Sequence, residues 1–286
     1  MKPSSPHSTD QTTSPHKIPN PEQIQLVVAD MDGTLLSPEH KISQRTINAV
    51  QALVAQGTEF MLATGRHYED VYLMAQQLGV EASLITSNGA RVHDHHGQVL
   101  YENHIPPNLV ERVLQISRGF ELHRNLYQQD LWLVEEPHEA LLAMHDQSGF
   151  RYSLSDFTEL DLSHIDKIYF TAEHEKLVPL ERLLSDRFSR QLNITFTSPE
   201  YLEVMNLGVS KGQALKKLLK MKGKSAEQAV AFGDGMNDLD MLKLVRYGVV
   251  MDNASDLVKA KLPNKLVARS NSEEGVADFI ERYLLK

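Results

Sequence analysis

Two aspartates stand at the end of an apolar run near the beginning of the sequence. Residues 26–36 read LVVADMDGTLL, so Asp30 and Asp32 directly follow what resembles a buried strand. A buried carboxylate is costly unless something compensates it, and two close together raise the pKa of at least one. On an extended backbone the side chains of residues i and i+2 point the same way. The pair therefore predicts a site with a cation, a catalytic role, or both.

Three further polar clusters stand where they could join this pair. Thr64-Gly65-Arg66 follows a second predicted strand, GDGMND (233–238) follows a later one, and Lys211 stands at a helix start within GVSKGQAL. In an open parallel sheet, ligands bind beyond the carboxyl ends of the strands, so we expect these clusters to meet at one edge.

The residue types in these clusters suit phosphate chemistry. Asp30, Asp32 and Asp234 form an oxygen-rich set of the kind that Mg²⁺ prefers. Lys211, the hydroxyl of Thr64 and backbone N–H groups of the glycine turns can hold phosphate oxygens. An aspartate can act as a nucleophile and form an aspartyl-phosphate, while a second carboxyl two residues away can protonate the leaving oxygen and later activate water.

Each cluster taken alone has a simpler interpretation. Asp-x-Asp-Gly is often a turn or part of a calcium loop, although Leu35-Leu36 argues against the calcium loop. Asn237 or Asp238 could simply cap a helix, and Lys211 could be a solvated lysine. The prediction of a phosphate site therefore depends on all four clusters occurring together and in this order. A histidine group on a predicted hairpin has no acidic partner nearby, so we predict no metal site at His93, His95 and His96.

The elements that must position these residues alternate between strand and helix. Apolar runs at 25–29, 59–63 and 84–86 are separated by helical patterns, the first with Ser43 as a plausible N-cap, and the alternation resumes at Ser210 with strands at 229–232, 248–251 and 266–268. Strand-helix alternation favours a parallel sheet with right-handed crossovers. We therefore predict an α/β fold, with a Rossmann-like, doubly wound parallel sheet as its core.

The intervening residues have a different pattern. Hairpins are predicted at 90–103 and around 128–130 and paired strands at 192–205, with helices starting near 107 and at about 137–147 and 174–187. We predict a core domain of residues 23–87 plus 207–286, and an inserted α+β cap domain of residues 88–206. Residues 1–22 are rich in Pro, Ser and Thr and are predicted to be a disordered extension.

Composition excludes several classes of protein. The 286 residues carry a net charge of −9 with no basic block, which argues against nucleic acid or an anionic membrane as partner. No apolar run is long enough to span a membrane. The sequence has no GxxxxGK[ST] loop, which argues against a nucleotide kinase. The absence of cysteine excludes thiolate catalysis and zinc–cysteine sites, and we expect a cytoplasmic protein. No protein partner is evident.

The ordered set DMDGT, TGR, Lys211 and GDGMND resembles the haloacid dehalogenase superfamily of phosphatases, and the insertion resembles the large cap of its Cof-type subfamily. Within that subfamily, TSNGARVHD (86–94) and LEVMNLGVSKG (202–212) are similar to the YigL-type sugar-phosphate and pyridoxal-phosphate phosphatases. The resemblance implies that Asp30 is the nucleophile and a Mg²⁺ ligand. Asp32 would be the general acid/base and would bind Mg²⁺ through its backbone carbonyl, and Asp234 would be the third ligand.

The same resemblance implies a phosphate-binding shell and a supporting residue. Met31, Thr64 and Gly65 would contribute backbone N–H groups, Lys211 and Asn237 would complete the shell, and Asp238 would orient Lys211. The implied activity is Mg²⁺-dependent hydrolysis of small phosphate monoesters, with a small phosphorylated metabolite as the partner.

Two alternatives remain open. One is a phosphotransferase or phosphomutase on the same scaffold, and the other is a regulator that binds a phosphorylated metabolite without turnover. The cap should decide the substrate, and we name Tyr127, Trp132 and Glu203 as candidates for that role.

Overall fold

The protein is described by a computed structural model that covers residues 18–143, 145–146, 148–263 and 265–286. The strands in these residues are β1 (Leu26–Ala29), β2 (Glu59–Ala63), β3 (Ala82–Thr86), β4 (Arg91–His93), β5 (Val99–Glu102), β6 (His123–Gln128), β7 (Leu131–Val134), β8 (Tyr152–Leu154), β9 (Ile165–Thr171), β10 (Leu192–Ser198), β11 (Tyr201–Asn206), β12 (Ala229–Gly233), β13 (Tyr247–Met251) and β14 (Leu266–Ala268). The helices are α1 (Gln44–Ala55), α2 (Tyr68–Gln76), α3 (Pro107–Ser117), α4 (Glu139–Ala143), α5 (His174–Phe188), α6 (Lys211–Met221), α7 (Leu239–Leu244), α8 (Asp256–Lys261) and α9 (Gly275–Tyr283).

The first sheet has eight strands in the order β14-β13-β12-β1-β2-β3-β4-β5. The strands from β14 to β3 run parallel, and β4 and β5 add an antiparallel hairpin at one edge. Strand β1 lies between β2 and β12, so the three polar clusters that follow these strands meet at one edge of the sheet. The predicted α/β fold with a parallel sheet is confirmed.

Helices cover both faces of the parallel strands. Val27 and Ala29 of β1 pack in one apolar cluster with residues of α1, α2 and α9, while Leu26 and Val28 pack in another with residues of α6 and α7. Because both faces are buried, the central strand is a continuous apolar run rather than an alternating one. Ser43 caps α1 as predicted, since its side chain accepts a hydrogen bond from the N–H of Thr46.

The second sheet has six strands in the order β10-β11-β9-β6-β7-β8, antiparallel except for the β7–β8 pair. Ile168 and Phe170 of β9 pack with residues of α3 and α5 on one face. Their neighbours Lys167 and Tyr169 lie on the opposite face, as the two-residue period of a strand requires. That second face lines a cavity shared with the first sheet.

Several local predictions are corrected by the structure. The hairpin at 90–103 forms, but β4 pairs with β3, so this hairpin extends the first sheet although it falls within 88–206. The helix expected at about 137–147 is assigned only over Glu139–Ala143. Strand β9, which is central in the second sheet, was not predicted, and neither was α8. The division into two domains remains a prediction.

The N-terminal prediction falls mainly outside the described residues. Residues 1–17 of the predicted extension cannot be compared. Of the remainder, Pro19 is buried and Pro21–Gln23 forms one 3₁₀ turn capped by Asn20. Among the described helices, none is long and apolar enough to cross a membrane.

Candidate active site

A tight helical turn follows β1 and separates the two aspartates. Residues Met31–Leu35 form a turn in which Asp32 is extended and Gly33 has a φ of +74°. Only glycine fits this position, because a Cβ there would overlap the carboxylate of Asp234 as well as strain the backbone. Asp30 and Asp32 both have extended backbone conformations and line the same cavity, although their carboxylates have different partners.

Lys211 connects the first cluster to the last. Its Nζ donates to Oδ1 of Asp30 and to Oδ1 of Asp238, both at 2.7 Å, and its side chain is completely buried. It is the first residue of α6, whose N-cap Ser210 accepts a hydrogen bond from the N–H of Gln213. Burial opposes the charge on Lys211, but the two carboxylates outweigh burial and raise its pKa. The prediction that Asp238 orients Lys211 agrees with this contact.

Asp238 also shapes the glycine turn that carries Asp234. Its Oδ2 accepts the N–H groups of Asp234 at 3.1 Å and of Gly235 at 2.9 Å. Asp234 in turn accepts a 2.7 Å hydrogen bond from Oγ1 of Thr34, in the turn after β1. Side-chain and backbone contacts thus hold the two motif loops together.

The acidic groups of this cluster have raised pKa values. Burial, with the nearby charge of Asp238, raises the pKa of Asp234 to about 6 against the opposing effects of Thr34 and Lys211. Burial and the charge of Asp238 also raise the pKa of Asp30, although Lys211 lowers it in part. Burial is the larger cause of both pKa shifts, and the negative charge of Asp238 adds to it.

The same cluster fits a divalent metal ion. One carboxylate oxygen from each of Asp30, Asp234 and Asp238 lies within 4.8 Å of the others. Three carboxylates against one lysine leave a formal charge of −2, and an all-oxygen set suits a hard cation. Because both oxygens of Asp238 are engaged by Lys211 and the backbone, Asp30 and Asp234 are the better ligands. Asp30 and Asp234 are the two ligands predicted to bind through their side chains, and Asp32, predicted to bind through its backbone carbonyl, does not belong to this cluster of carboxylates.

The side chain of Asp32 is held by Arg66. Nε and Nη2 of Arg66 donate to the two oxygens of Asp32 at 2.7 and 2.6 Å, and His40 lies 3.4 Å from one of them. Burial would raise the pKa of Asp32, but the hydrogen bonds and charge of Arg66 lower it. The carboxylate remains 42% exposed and lines the cavity, so it can reach a bound ligand.

The predicted phosphate-binding residues lie around this point with one difference. Gly65 and Asn237 line the cavity, while Met31 and Thr64 are buried beside it. The N–H of Thr64 donates to the carbonyl of Ile85 at 2.8 Å, so it is already used within the sheet. The hydroxyl of Thr64, which accepts from the N–H of Arg66, is the group left for a phosphate oxygen.

The cavity has a volume of about 400 Å³ and lies between the two sheets. Asp30, Asp32 and Asp234 line it on one side. On the other side it is lined by side chains of the second sheet and its connections, which are Tyr127, Leu141, His145, Lys167, Tyr169, Thr197, Ser198, Tyr201 and Glu203. Of the three predicted cap candidates, Tyr127 and Glu203 therefore face the cavity. Trp132 does not, because it is buried within the second sheet, where its Nε1 donates to Asn125.

A chain of hydrogen bonds crosses the cavity between the two sheets. Asn237 donates to Oδ1 of Asn88 at 2.9 Å, and Nδ2 of Asn88 donates to Oε2 of Glu203 at 2.6 Å. Nζ of Lys167 donates to Oε1 of Glu203 at 2.8 Å and to the carbonyl of Gly65 at 2.9 Å. Polar groups of the second sheet are thereby fixed directly opposite the motif loops of the first sheet.

Comparison with known proteins agrees with this geometry. The family described as haloacid dehalogenase-like hydrolase matches residues 27–280. The chain belongs to the haloacid dehalogenase-like hydrolase family. Its predicted class, a hydrolase that acts as a phosphatase, is confirmed by the family and by its named relatives.

Individual relatives cover nearly the whole chain. A Serratia proteamaculans protein named HMP-PP phosphatase is 36% identical over 260 residues, which are 91% of this chain and 95% of that protein. A Haemophilus influenzae protein is 39% identical over 259 residues, 89% of this chain and 94% of its own. The crystal structure of a haloacid dehalogenase-like hydrolase from Bacteroides thetaiotaomicron has a TM-score of 0.80 at 28% identity, covering 91% of this chain and 99% of that one.

Among the side chains that the structure of this haloacid dehalogenase-like hydrolase brings to the site, Arg66, Asn88 and Lys167 were not predicted from the sequence. Arg66 belonged to a recognised motif, but no role was assigned to its side chain. Asn88 lies in a buried turn with a φ of +55°, a conformation that asparagine tolerates better than most residues. Lys167 could have been found from the alternation in IDKIYFT, had that stretch been predicted as a strand with one polar face.

Proposed function

We propose that the protein is a Mg²⁺-dependent phosphatase that hydrolyses small phosphate monoesters through an aspartyl-phosphate on Asp30. The observation that carries the proposal is the contact of Lys211 with both Asp30 and Asp238 in a cluster of three carboxylates, of which Asp30 and Asp238 are buried and Asp234 is partly buried. Such a cluster is electrostatically unfavourable by itself and becomes favourable when a divalent cation and a phosphate complete it.

In the first step, the free oxygen of Asp30 attacks phosphorus and the ester P–O bond breaks. Asp32, which faces the cavity beside Asp30, enters this step in its protonated form and gives that proton to the leaving oxygen. Lys211 and the amide of Asn237 bind the non-bridging phosphate oxygens. When bound by Asp30 and Asp234, Mg²⁺ would neutralise negative charge on the phosphoryl group.

In the second step, Asp32 accepts a proton from water as the water oxygen attacks phosphorus. The bond between Asp30 and phosphorus breaks, so inorganic phosphate is released and both aspartates return to their starting state. Arg66 holds Asp32 as a carboxylate between the two steps, which is the state required of a base.

The second sheet supplies the groups that would choose among esters. A volume of about 400 Å³ suits a metabolite-sized leaving group. Tyr127 and Tyr169 offer apolar rings, while Lys167 and Glu203 offer one cation and one anion. We propose sugar phosphates and pyridoxal phosphate as substrate candidates, together with HMP-PP, which the name of the Serratia relative carries.

A phosphate-release screen tests this proposal. We expect Mg²⁺ to support release from at least one of these compounds, EDTA to abolish it, and Asp30→Asn to reduce it to background. Asp256→Asn, a charge removal on the exposed end of α8, is the matched control and should retain normal turnover. Activity that survives in Asp30→Asn would show that another nucleophile acts.

A further inference from the structure

A second carboxylate shares Arg66 with Asp32. Asp70 lies in the first turn of α2, is completely buried, and places its Oδ2 3.3 Å from Nη1 of Arg66. The other edge of the same guanidinium holds Asp32. Because the guanidinium is rigid and planar, a carboxylate on each side fixes both its position and its direction.

Asp70 also links helix α2 to the connection that follows α4. Nδ1 of His145 lies 2.9 Å from Oδ1 of Asp70, and the hydroxyl of Ser148 donates to the same oxygen. Burial would raise the pKa of Asp70, but its contacts with His145, Arg66 and Ser148 lower it, so Asp70 stays anionic. His145 itself lines the cavity.

These contacts form a continuous path from the cavity wall to Asp32. It runs from His145 and Ser148 to Asp70, then to Arg66 and to Asp32, and every step is a contact between charged or polar groups. A buried carboxylate is costly to maintain, and the two chemical steps described above assign no task to Asp70.

We propose that Asp70 is a positioning residue that makes the orientation of Asp32 depend on the docking of His145 and Ser148. When His145 and Ser148 both contact Asp70, the Asp70 carboxylate holds the Nη1 side of Arg66. Arg66 then presents Asp32 to the cavity. Without these contacts, the Asp70 carboxylate loses two of its three side-chain partners and can turn away from Arg66, which then keeps only Asp32 and the nearby His40 as side-chain partners among the described residues. The inference rests on the proposed role of Asp32 as the general acid/base.

If the proposal is correct, a change at Asp70 should slow the hydrolysis of substrates whose leaving group needs a proton more than that of substrates whose leaving group needs none. An alkyl phosphate needs a proton on its leaving oxygen, whereas p-nitrophenyl phosphate releases a stable anion and needs none. The ratio kcat/KM covers the steps up to leaving-group departure, so it reports the acid role of Asp32 without the later hydrolysis step.

The experiment measures kcat/KM for p-nitrophenyl phosphate and for an alkyl phosphate accepted by the wild-type enzyme, both with Mg²⁺. For Asp70→Asn we expect a loss of about 10-fold or more with the alkyl phosphate and of less than about twofold with the aryl phosphate, since general acids contribute about 10²–10⁴-fold. Glu69→Gln, which removes an exposed charge from the same turn of α2, is the control and should change neither value.

A double mutant tests whether His145 acts through Asp70. His145→Asn should lower the alkyl-to-aryl ratio, and the pair Asp70→Asn with His145→Asn should lower it no further than Asp70→Asn alone. If Asp70→Asn does not fold, as judged by circular dichroism, Ser148→Ala replaces it, with an expected loss of about threefold in the ratio.

Two results would overturn the proposal. Equal losses with both substrates would mean that Asp70 only supports the structure, and multiplying effects in the double mutant would mean that His145 acts independently. If the wild-type enzyme hydrolyses neither ester, the proposed function itself fails, which the wild-type measurement reveals before any variant is compared.

Discussion

Two buried lysines, one beside the first sheet and one within the second, show how differently the two regions encode their polar groups. Lys211 is fully buried between Asp30 and Asp238 beside the parallel sheet, whereas Lys167 is 3% exposed and pairs with Glu203 in the antiparallel sheet. The first follows a capped helix start and belongs to a recognisable set of motifs. The second lies in the middle of a strand and has no motif around it.

The difference has a physical origin. The groups proposed to transfer a phosphoryl group must meet at fixed distances, so they occur at strand ends and tight turns, where a few residue types are acceptable. Groups that recognise a leaving group need only face a cavity, so they occupy alternate positions of ordinary strands. If this comparison is correct, perturbing the first lysine affects every substrate, and perturbing the second affects substrates unequally.

The largest effect is expected for Lys211→Met. This change leaves Asp30 and Asp238 without a cation and removes a donor to phosphate, so kcat/KM should fall at least about 100-fold for every substrate. The free energy of unfolding should also fall by about 3 kcal/mol, because buried carboxylates lose their partner. Steady-state kinetics and urea denaturation measure the two effects.

The matched control for that change is Lys216→Met, an exposed lysine of the same helix. It should alter neither activity nor stability beyond experimental error. A substrate that tolerates Lys211→Met while others do not would contradict the separation between chemistry and recognition.

A smaller and more selective effect is expected for Lys167→Met and Glu203→Gln. Each removes one charge from the cavity wall, so kcat/KM should shift by about 10-fold for some phosphate esters and much less for others. Activation by Mg²⁺ and inhibition by inorganic phosphate should stay nearly unchanged, since those depend on residues of the first sheet. A panel of sugar phosphates and pyridoxal phosphate measures the differences.

Lys176→Met, an exposed lysine of α5, is the control for these two variants. One common factor across all esters in both variants would mean that Lys167 and Glu203 hold the sheets together without choosing substrates. Recognition would then have to lie elsewhere in the cavity.

The smallest effect concerns pH and metal. Asp234 has a pKa of about 6 in the folded, metal-free protein, above the ordinary value of 3.8. Its contribution to stability is therefore present below about pH 4 and is lost as the pH rises through 6. Since Mg²⁺ needs the carboxylate, the increase in Tm produced by Mg²⁺ should be small at pH 5 and grow by a few degrees by pH 7.

Asp234→Asn is the comparison for this measurement and should reduce the dependence on pH between 5 and 7, leaving the part contributed by Asp30, whose pKa is also raised. An increase in Tm that is the same at pH 5 and pH 7 in the wild-type protein would contradict the assignment of Asp234 as a ligand. Differential scanning fluorimetry at constant ionic strength is sufficient.

The same contrast between the two sheets determines which parts of the structure could be predicted from the sequence. The order of the parallel strands and the meeting of Asp30, Lys211 and Asp234 at one edge were predictable, because apolar strands, caps and glycine turns have local signatures. The hairpin of β4 and β5 was predicted, but its pairing with the first sheet was not, because strand pairing depends on contacts between residues distant in sequence. Strand β9 was missed because Asp166 and Lys167 interrupt its apolar residues, although both are buried in the folded chain.

The contacts of Arg66 and Asp70 show where such inference stops. Arg66 stands in a motif, yet its contact with Asp32 depends on the turn after β1, and its contact with Asp70 depends on α2 beginning where it does. His145 reaches Asp70 only through the packing of the two sheets. The two contacts between residues distant in sequence, Arg66 with Asp32 and His145 with Asp70, have no signature in the sequence near the residues that make them.

The central claim is that Asp30 forms a covalent bond to phosphorus, and trapping that bond is its most direct test. Asp32→Asn lacks the base for the second step, so after reaction with Mg²⁺ and p-nitrophenyl phosphate and acid quenching it should carry one phosphoryl group. Mass spectrometry should locate the group on Asp30, hydroxylamine should remove it, and the double variant with Asp30→Asn should lack it. A phosphoryl group on another residue, or its absence in Asp32→Asn while a burst of p-nitrophenol is released, would contradict the account.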